Sequence, residues 1–304
     1  MTNAEFNFDA PASVLAAHSA KERNAAETSP GIEALEGIAD ISSYDLILVN
    51  SSGGKDSAAM TAHLVDLVDL LGVPRERLVM VHADLGRAEW KGTTETVEAH
   101  AGRYGMRLEI VRRKVNDLLD HVKARGKWPG STTRFCTSEH KRGPISTVMT
   151  KLANEFHGST RGKVERPVRI LNCLGIRSAE SPARAKKPAF ENDKRNTNGR
   201  RHVDTWFPIH DWSVESVWSK IKSAGLEIHK AYGLGMPRLS CAFCVFAGKN
   251  ALMLAGKENP DLLEEYVAVE EEIGHDFTAA FPIREIKEAL DRGEEPGEIK
   301  TWEM

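Results

Sequence analysis

The feature that most constrains the fold is an alternation of short apolar runs with amphipathic segments, which begins near Tyr44. After the first run, apolar side chains recur at helical spacing from Met60 to Leu71, and Gly72 and Pro74 end that helix. Strands that alternate with helices form parallel sheets, so we predict an α/β fold: a doubly wound parallel sheet with helices on both faces. The predicted strands are residues 45–50, 78–82, 107–111 and 168–174, and the other predicted helices are residues 92–104, 116–123, 260–272 and 284–291.

Composition favours a soluble globular protein. Of the 304 residues, 41% are apolar and 28% are charged, with a formal net charge of −3. No apolar run approaches the roughly 18 residues of a membrane span, and the first residues lack a secretory signal pattern. Four cysteines are too few for a disulfide scaffold. We therefore expect a cytoplasmic protein with no membrane partner, whose thiols are reduced or bound to metal.

The chain divides by composition into three predicted parts. Residues 1–40 are rich in Ala, Glu, Asn and Ser, which predicts a partly disordered arm with a short helix near residues 31–39. Residues 41–250 carry the alternating pattern and are predicted to form the catalytic domain. Residues 251–304 are predicted to be an acidic helical extension, because residues 258–304 contain 15 Asp or Glu and 4 Lys or Arg.

The most informative segment is Ser-Ser-Gly-Gly-Lys-Asp-Ser at residues 51–57, here called the phosphate loop, between the first predicted strand and the first predicted helix. Its two glycines let the backbone turn sharply and approach a bound group. The helix beginning near Ser57 offers unpaired N–H groups and partial positive charge, to which Lys55 adds a full charge. This combination predicts a phosphate site, although the loop matches neither Walker A nor the dinucleotide-binding pattern. A tight turn with incidental polar residues is the alternative.

The phosphate loop resembles the PP-loop of ATP pyrophosphatases, the adenine nucleotide α-hydrolase-like superfamily. The resemblance implies that the loop holds the pyrophosphate end of ATP while an acceptor oxygen attacks the α-phosphorus. It also implies Mg2+, with Lys55 neutralising the leaving pyrophosphate and Asp56 either orienting the ion or capping the loop. The residues that it assigns to nucleotide binding are Ser51, Ser52, Gly53, Gly54, Lys55, Asp56 and Ser57.

Three further stretches, at residues 175–184, 208–217 and 229–244, resemble phosphoadenosine-phosphosulfate (PAPS) reductases, and the similarity runs from about residue 44 to 246. The first contains Gly-Ile-Arg and a second arginine and follows a predicted buried strand, at the edge where α/β sheets bind ligands. Guanidinium groups suit phosphate oxygens, so both arginines are candidate catalytic residues, with a surface location as the alternative. The candidates of this stretch are Gly175 for nucleotide binding and Arg177 and Arg184 for catalysis.

Two other groups of residues are weaker candidates. His82 and Asp84 end the second predicted strand at the same edge, where they either contact nucleotide or only terminate the strand. The tryptophans at positions 212 and 218 indicate core packing more than a base-stacking platform.

The cysteines suggest a metal centre. Relatives that carry a [4Fe-4S] cluster use a Cys-Cys pair and a later Cys-x-x-Cys, and here Cys136 stands alone before Cys241 and Cys244. The resemblance therefore implies three ligands for a [4Fe-4S] cluster, with Cys173 as the only candidate for a fourth, although its apolar strand favours an inert buried thiol. Zinc binding, disulfide exchange and a purely structural role are the alternatives.

The resemblance is compatible with two different activities. PAPS reductases attack sulfur with a cysteine on a C-terminal tail, and this sequence has no cysteine after Cys244. Relatives without that tail include the DNA phosphorothioation ATP pyrophosphatases (DndC- and SspD-like), which implies DNA as acceptor and a sulfur-donor protein such as a cysteine desulfurase. Residues 161–201 hold 12 Lys or Arg and 4 Asp or Glu, and we predict that the long loop at 178–201 contacts the acceptor backbone or is merely solvated. PAPS or adenylyl-sulfate reduction, a nucleotide-binding protein without catalysis, and a tRNA acceptor remain alternatives.

Overall fold

The computed structural model describes residues 41–158 and 164–299. The predicted arm at residues 1–40, with its short helix near residues 31–39, lies outside the described residues. Within the described ranges, no helix is both long enough and apolar enough to cross a membrane.

The core of the fold is a six-stranded sheet. Its strands are β1 (Leu46–Asn50), β2 (Leu78–Ala83), β3 (Arg107–Val111), β4 (Val168–Leu174), β5 (Phe190–Asn192) and β6 (Arg201–Trp206). Their order in the sheet is β3-β2-β1-β4-β6-β5, and all neighbouring strands are parallel except β5 and β6, which are antiparallel. The structure confirms the predicted α/β class, and all four predicted strands are present within one residue of their predicted ends.

Helices cover both faces of this sheet, as predicted. The longer helices are α1 (Lys55–Leu70), α2 (Thr93–Tyr104), α3 (Leu118–Arg125), α4 (Gly143–Phe156), α5 (Val214–Ala224), α6 (Lys249–Glu258), α7 (Pro260–Ile273) and α8 (Ile283–Asp291). On one face, α1 and α5 bury Val65 and Val217 against the same apolar cluster as Ile47 of β1, and α2 packs beside them on β2. On the other face, α4 packs Met149 and Leu152 against apolar residues of the central strands.

The acidic C-terminal helices form a second packing unit. Helices α6, α7 and α8 share an apolar cluster with α3, in which the Trp128 and Tyr266 rings stack at 5.3 Å between centroids. The same cluster includes Trp90 from the segment after β2. The helical extension therefore packs against the carboxyl edge of the sheet through the residues that follow β2.

The prediction of a long loop at residues 178–201 is wrong. This region contains the short helix Pro182–Ala185 and strand β5, and β6 begins at Arg201. The strand β6 escaped prediction because it is buried without being apolar: Asp204 lies inside and accepts a hydrogen bond from the Tyr44 hydroxyl at 2.9 Å. Strand β5 has three residues and exists only by pairing with β6.

The strand order places several loops together. The chain runs outward from β1 to β3 on one side, and β4 lies on the other side of β1, so the order reverses between β1 and β4. Ligands of open α/β sheets bind beyond the carboxyl ends of the strands at such a reversal. The phosphate loop follows β1 at this point, and Gly175 follows β4.

Candidate functional site

The phosphate loop is held in one conformation by its own hydrogen bonds. Gly53 has a φ of 69°, a region that strains residues with a Cβ, and a Cβ there would also lie 3.2 Å from Thr93 Cγ2. The Ser57 hydroxyl donates to the Gly54 carbonyl at 2.8 Å and accepts from the Ser52 N–H at 3.2 Å. The turn that the two glycines predict is therefore formed.

The loop presents unpaired donors at the beginning of α1. Among the described residues, the backbone N–H groups of Gly54, Asp56 and Ser57 have no hydrogen-bond acceptor. A helix of 16 residues also places partial positive charge at this end. Donors and dipole together favour an anion, which supports the predicted phosphate site.

Gly175 brings β4 against the same loop. A Cβ on Gly175 would lie 2.8 Å from the Asp56 carbonyl oxygen and 2.9 Å from the Ser57 backbone nitrogen. No side chain fits at these distances, so only glycine allows β4 and the first turn of α1 to approach this closely. Gly175 thus lies at the loop, where the sequence predicted it.

Two charged residues of the phosphate loop, Lys55 and Asp56, form a buried chain of ion pairs with Arg177. Lys55 Nζ is 3.1 Å from Asp56 Oδ2 and 3.1 Å from the Pro237 carbonyl, and Arg177 Nε is 2.6 Å from Asp56 Oδ1. Burial opposes ionisation of Asp56, yet the charges of Lys55 and Arg177 hold the pKa of its carboxyl below the usual range. Both cations are therefore positioned by one carboxylate.

The two predicted arginines have different surroundings. Arg177 is 6% exposed, so the alternative of a surface arginine is wrong for this residue. Its backbone N–H donates to Glu180 at 2.9 Å, and Glu180 also forms an ion pair with the partly exposed Arg184. Arg184 is thus connected to the site through Glu180 and does not contact Asp56.

Tyr232 is a site residue that sequence reasoning missed. Its hydroxyl accepts hydrogen bonds from the Lys55 N–H at 2.7 Å and from the Leu239 N–H at 3.3 Å. Burial and the nearby Asp56 charge raise the Tyr232 pKa, so the hydroxyl stays protonated. The residue occurs in a stretch that resembles PAPS reductases, but nothing in its spacing indicates a contact 177 residues away.

His82 and Asp84 lie at the end of β2, and both are buried. His82 Nδ1 is 3.0 Å from the Ser51 carbonyl, which links β2 to the phosphate loop. His82 Nε2 is 3.3 Å from a carboxylate oxygen of Glu89, a residue that the sequence did not single out. Asp84 forms an ion pair with Arg112 at 2.5 Å.

Comparison with known families agrees with this geometry. Residues 46–247 match the family model described as the phosphoadenosine phosphosulfate reductase domain. The chain belongs to this family. The match confirms the predicted family and an enzyme of the PAPS reductase and PP-loop kind, whose phosphate loop, Gly175 and Arg177 lie within the matched residues.

Two curated proteins share parts of this PAPS reductase domain. An uncharacterized 37.8 kDa protein of Escherichia phage 186 is 31% identical over 160 residues, covering 51% of this chain and 42% of that protein. The adenosine 5'-phosphosulfate reductase of Allochromatium vinosum is 26% identical over 181 residues, covering 58% of this chain and 62% of that enzyme. The chain therefore matches less than two thirds of the length of either relative.

Solved structures resemble the chain more remotely. The PAPS reductase of Candida auris, in a phosphate complex, is 15% identical with a TM-score of 0.44, covering 69% of this chain and 86% of that one. The U34-tRNA thiolase NcsA of Methanococcus maripaludis, with its [4Fe-4S] cluster, is 12% identical with a TM-score of 0.39, covering 85% of this chain and 76% of that one. At these scores neither structure bears on the activity of this chain.

Within this PAPS reductase domain, Cys136, Cys241 and Cys244 form a partly buried group against the helical cluster. Burial raises the pKa of the Cys241 thiol to about 12; Lys141 opposes the rise, and Cys244 and Cys136 add to it. Cys173 is different: it is fully buried in β4, and burial alone raises its pKa. The structure thus places Cys173 in the sheet core, away from the other three.

The donor set is chemically suited to a metal centre. Cysteine thiolates are the ligands of both [4Fe-4S] clusters and structural zinc ions. Among the described residues, the only set of three potential ligands within 4.8 Å of one another is His82, Asp84 and Glu89, so the three thiols do not lie at the roughly 3.8 Å spacing of a tetrahedral zinc site with Zn–S bonds of about 2.3 Å.

A Mg2+ ion would compete with two cations for Asp56. One Asp56 oxygen pairs with Lys55 and the other with Arg177, so a metal ion bound to this carboxylate would be repelled by both cations. The sequence left open whether Asp56 orients Mg2+ or caps the loop, and the geometry shows a role outside these two, in which its carboxylate positions Lys55 and Arg177. Mg2+ that bridges phosphate oxygens needs no ligand from this carboxylate.

Proposed function

We propose that this protein is an ATP pyrophosphatase that converts ATP to AMP and pyrophosphate, and that this reaction activates a phosphate oxygen of nucleic acid for sulfur insertion, as in DNA phosphorothioation. The observation that carries the proposal is the set of unpaired N–H groups of Gly54, Asp56 and Ser57 at the N-terminus of α1. An anion of two or more phosphates would supply acceptors to all three, whereas uncharged ligands would not match the helix dipole.

In the proposed reaction, the β- and γ-phosphates of ATP bind to the phosphate loop. An oxygen of the acceptor phosphate forms a bond to the α-phosphorus, and the bond between the α-phosphorus and the bridging oxygen breaks, so that pyrophosphate leaves with the electron pair and the adenylyl group stays on the acceptor. A sulfur nucleophile, or water where no sulfur donor is present, then forms a bond to the acceptor phosphorus, and AMP leaves with that oxygen and its electron pair. Lys55 and Arg177, both held by Asp56, stabilise the charge that builds up on these oxygens. Mg2+ bound to phosphate oxygens would neutralise further charge.

A nucleic acid acceptor is supported by basic side chains near this edge. Lys186 and Lys187 are exposed in the segment before β5, whose first residue Phe190 pairs with Trp206 at the carboxyl end of β6. The short helix before β5 includes Arg184, which is coupled to Arg177 through Glu180. A row of exposed basic side chains that extends from the proposed phosphate site suits a partner with a phosphate backbone.

The three thiols would serve the sulfur chemistry of the same reaction. The segment that carries Cys241 and Cys244 begins at Pro237, whose carbonyl accepts from the Lys55 ammonium. If these thiols hold a [4Fe-4S] cluster, the cluster would supply an iron able to bind sulfur from a donor protein such as a cysteine desulfurase. Cys136, Cys241 and Cys244 would hold it.

A second candidate is reduction of PAPS or adenylyl sulfate. It is favoured by the family model and by the similarity to the Allochromatium enzyme. Both candidates need the same anion site, so they differ in the substrate that is consumed and not in the loop.

The deciding experiment incubates the anaerobically purified protein with α-labelled ATP, with PAPS and with adenylyl sulfate, each with and without DNA. We expect AMP and pyrophosphate from ATP, with faster release when DNA is present. Release of sulfite with no ATP turnover would support the second candidate and overturn the first. Iron content measured on the same sample tests the cluster: colourless protein without iron would reject it.

A further inference from the structure

The end of β2 carries a set of converging side chains that the phosphate chemistry does not use. One ligand atom from each of His82, Asp84 and Glu89 lies within 4.8 Å of the others, and all three side chains are mostly buried. We propose that these three residues bind a divalent first-row transition-metal ion at the carboxyl end of β2. The proposal does not rest on ATP turnover, because the ligands all come from the protein.

The hydrogen bond to Ser51 determines which nitrogen of His82 faces the site. The Ser51 carbonyl is 3.0 Å from Nδ1 and can only accept, so Nδ1 carries a proton. The lone pair of the neutral ring is then on Nε2, which makes no hydrogen bond to the described residues although His82 is 1% exposed. Metal-binding histidines are commonly oriented in this way by a carbonyl at the other nitrogen.

Glu89 supplies a second acceptor directly opposite this nitrogen. Its Oε2 is 3.3 Å from His82 Nε2, and two acceptors at that distance require a cation between them. A proton would satisfy these two atoms. A third ligand distinguishes a metal ion from a proton: one carboxylate oxygen of Asp84 also lies within 4.8 Å of the ligand atoms of His82 and Glu89.

Asp84 retains ligand capacity despite its own partners. The Arg112 guanidinium occupies Oδ2, while Oδ1 accepts one N–H, from Gly86 at 2.6 Å. A carboxylate oxygen accepts two bonds, so Oδ1 has a lone pair left. The bonds from Arg112 and Gly86 thus fix the orientation of the Asp84 carboxylate and leave one lone pair of Oδ1 available to a metal ion.

The site is rigid and open to solvent on one side. Its residues are held by β2 and by the backbone bridge of Glu89 to Cys241. Asp84 and Glu89 line a cleft of about 930 Å³ between the beginnings of α2 and α7, which gives an ion and its water ligands an entry path. One imidazole and two carboxylates form a mixed set that suits Mn2+, Fe2+ or Zn2+ better than Mg2+.

Mn2+ is the probe that tests the proposal. The full-length protein is titrated with MnCl2 in the absence of nucleotide, and free Mn2+ is followed by electron paramagnetic resonance. We expect one saturable site per chain, and electron spin echo modulation from a directly bound nitrogen. Glu89→Gln should weaken binding at least tenfold. Glu95→Gln, which removes a carboxylate from the same cleft outside the set, should leave affinity unchanged.

Four outcomes would each overturn the proposed site. The first three are the absence of saturable binding by the wild-type protein, equal affinity in Glu89→Gln, and bound Mn2+ without nitrogen modulation. The fourth is binding that needs ATP, which would assign the ion to phosphate oxygens. The nitrogen signal is measured on the wild-type protein, so it decides even if Glu89→Gln does not fold. ATP turnover in Mg2+ is measured separately, so failure of the ATP chemistry would leave this result unaffected.

Discussion

Two neighbouring strand ends of the same sheet edge have opposite electrostatic character. At the end of β1, the phosphate loop presents unpaired N–H groups, and Lys55 and Arg177 share a single carboxylate, Asp56. At the end of β2, His82 offers a lone pair to a space that Glu89 and Asp84 also face. The first arrangement favours an anion and the second a cation. Parallel topology thus brings the proposed anion site and the proposed cation site side by side, connected by the hydrogen bond from His82 to the Ser51 carbonyl.

The largest effect is expected from removing the carboxylate at the end of β1. Asp56→Asn leaves Lys55 and Arg177 buried without a counter-charge, which should lower the free energy of unfolding by about 3–5 kcal/mol. Urea denaturation measures this change. The matched control is Asp69→Asn, which breaks an exposed pair with Arg75 and should leave stability nearly unchanged. Equal stability of the two variants would contradict the buried charge chain.

The stabilities of the wild-type protein and of Asp56→Asn, measured at several pH values, give a second test of the Asp56 ion pairs. The folded-state pKa of Asp56 lies below its ordinary value of 3.8, so the ion pair stabilises the fold above that value and its contribution is lost as the pH falls through the folded-state pKa. The stability difference between wild type and Asp56→Asn should therefore narrow below about pH 4. A difference that stays constant from pH 6 to pH 3 would show that the charge of Asp56 is not what stabilises this region.

The next largest effect concerns catalysis at the anion site. Lys55→Ala removes an ammonium group from the proposed phosphate site while Arg177 still balances Asp56, so the protein should fold. Loss of one preorganised donor costs about 3 kcal/mol in the barrier, or roughly a hundredfold in rate. The rate of pyrophosphate release measures this loss, and circular dichroism checks that the variant folds. The control is Lys220→Ala, which removes a lysine that pairs with Asp66 and should leave the rate unchanged. Near-normal turnover by Lys55→Ala would exclude Lys55 from the mechanism.

A smaller effect is expected where β4 meets the loop. The Cβ of Gly175→Ala would push against the backbone of Asp56 and Ser57, which should cost about 1–3 kcal/mol of stability and move the loop. Thermal unfolding and pyrophosphate release both report this. Gly199→Ala is the control, because no atom lies within 4 Å of its added Cβ. If the two variants had similar unfolding temperatures and similar rates of pyrophosphate release, the close approach at Gly175 would be needed neither for stability nor for the conformation of the loop.

The turn and the unpaired donors of the proposed anion site were predictable from the sequence because local chemistry determines them. The glycine turn, the start of α1 and Lys55 are adjacent in the chain, and each favours an anion without tertiary contacts. Gly175 and Arg177 required the family resemblance, since they reach the loop only through the pairing of β1 with β4.

The set at the end of β2 was predictable only in part. His82 and Asp84 were found as polar residues at a strand end, but Glu89 reaches them through a turn and a bridge to Cys241, 152 positions away. Strand β6 was missed for a related reason, because its buried Asp204 is satisfied by Tyr44 from a distant part of the chain. Side chains whose partners are remote in sequence leave no periodic signal.

The smallest effect concerns the boundary of the anion site. Tyr232→Phe removes the acceptor of the Lys55 N–H, which should cost about 1 kcal/mol in unfolding free energy. Tyr44→Phe, which loses a bond to the buried Asp204 carboxylate, should cost about 1.5–3 kcal/mol because the partner is charged, and it serves as the control for pyrophosphate affinity. Because the Tyr232 hydroxyl serves protein N–H groups, pyrophosphate affinity by calorimetry should not fall in either variant. A tenfold loss confined to Tyr232→Phe would instead place this hydroxyl among the groups that contact phosphate, and would extend the anion site beyond the beginning of α1.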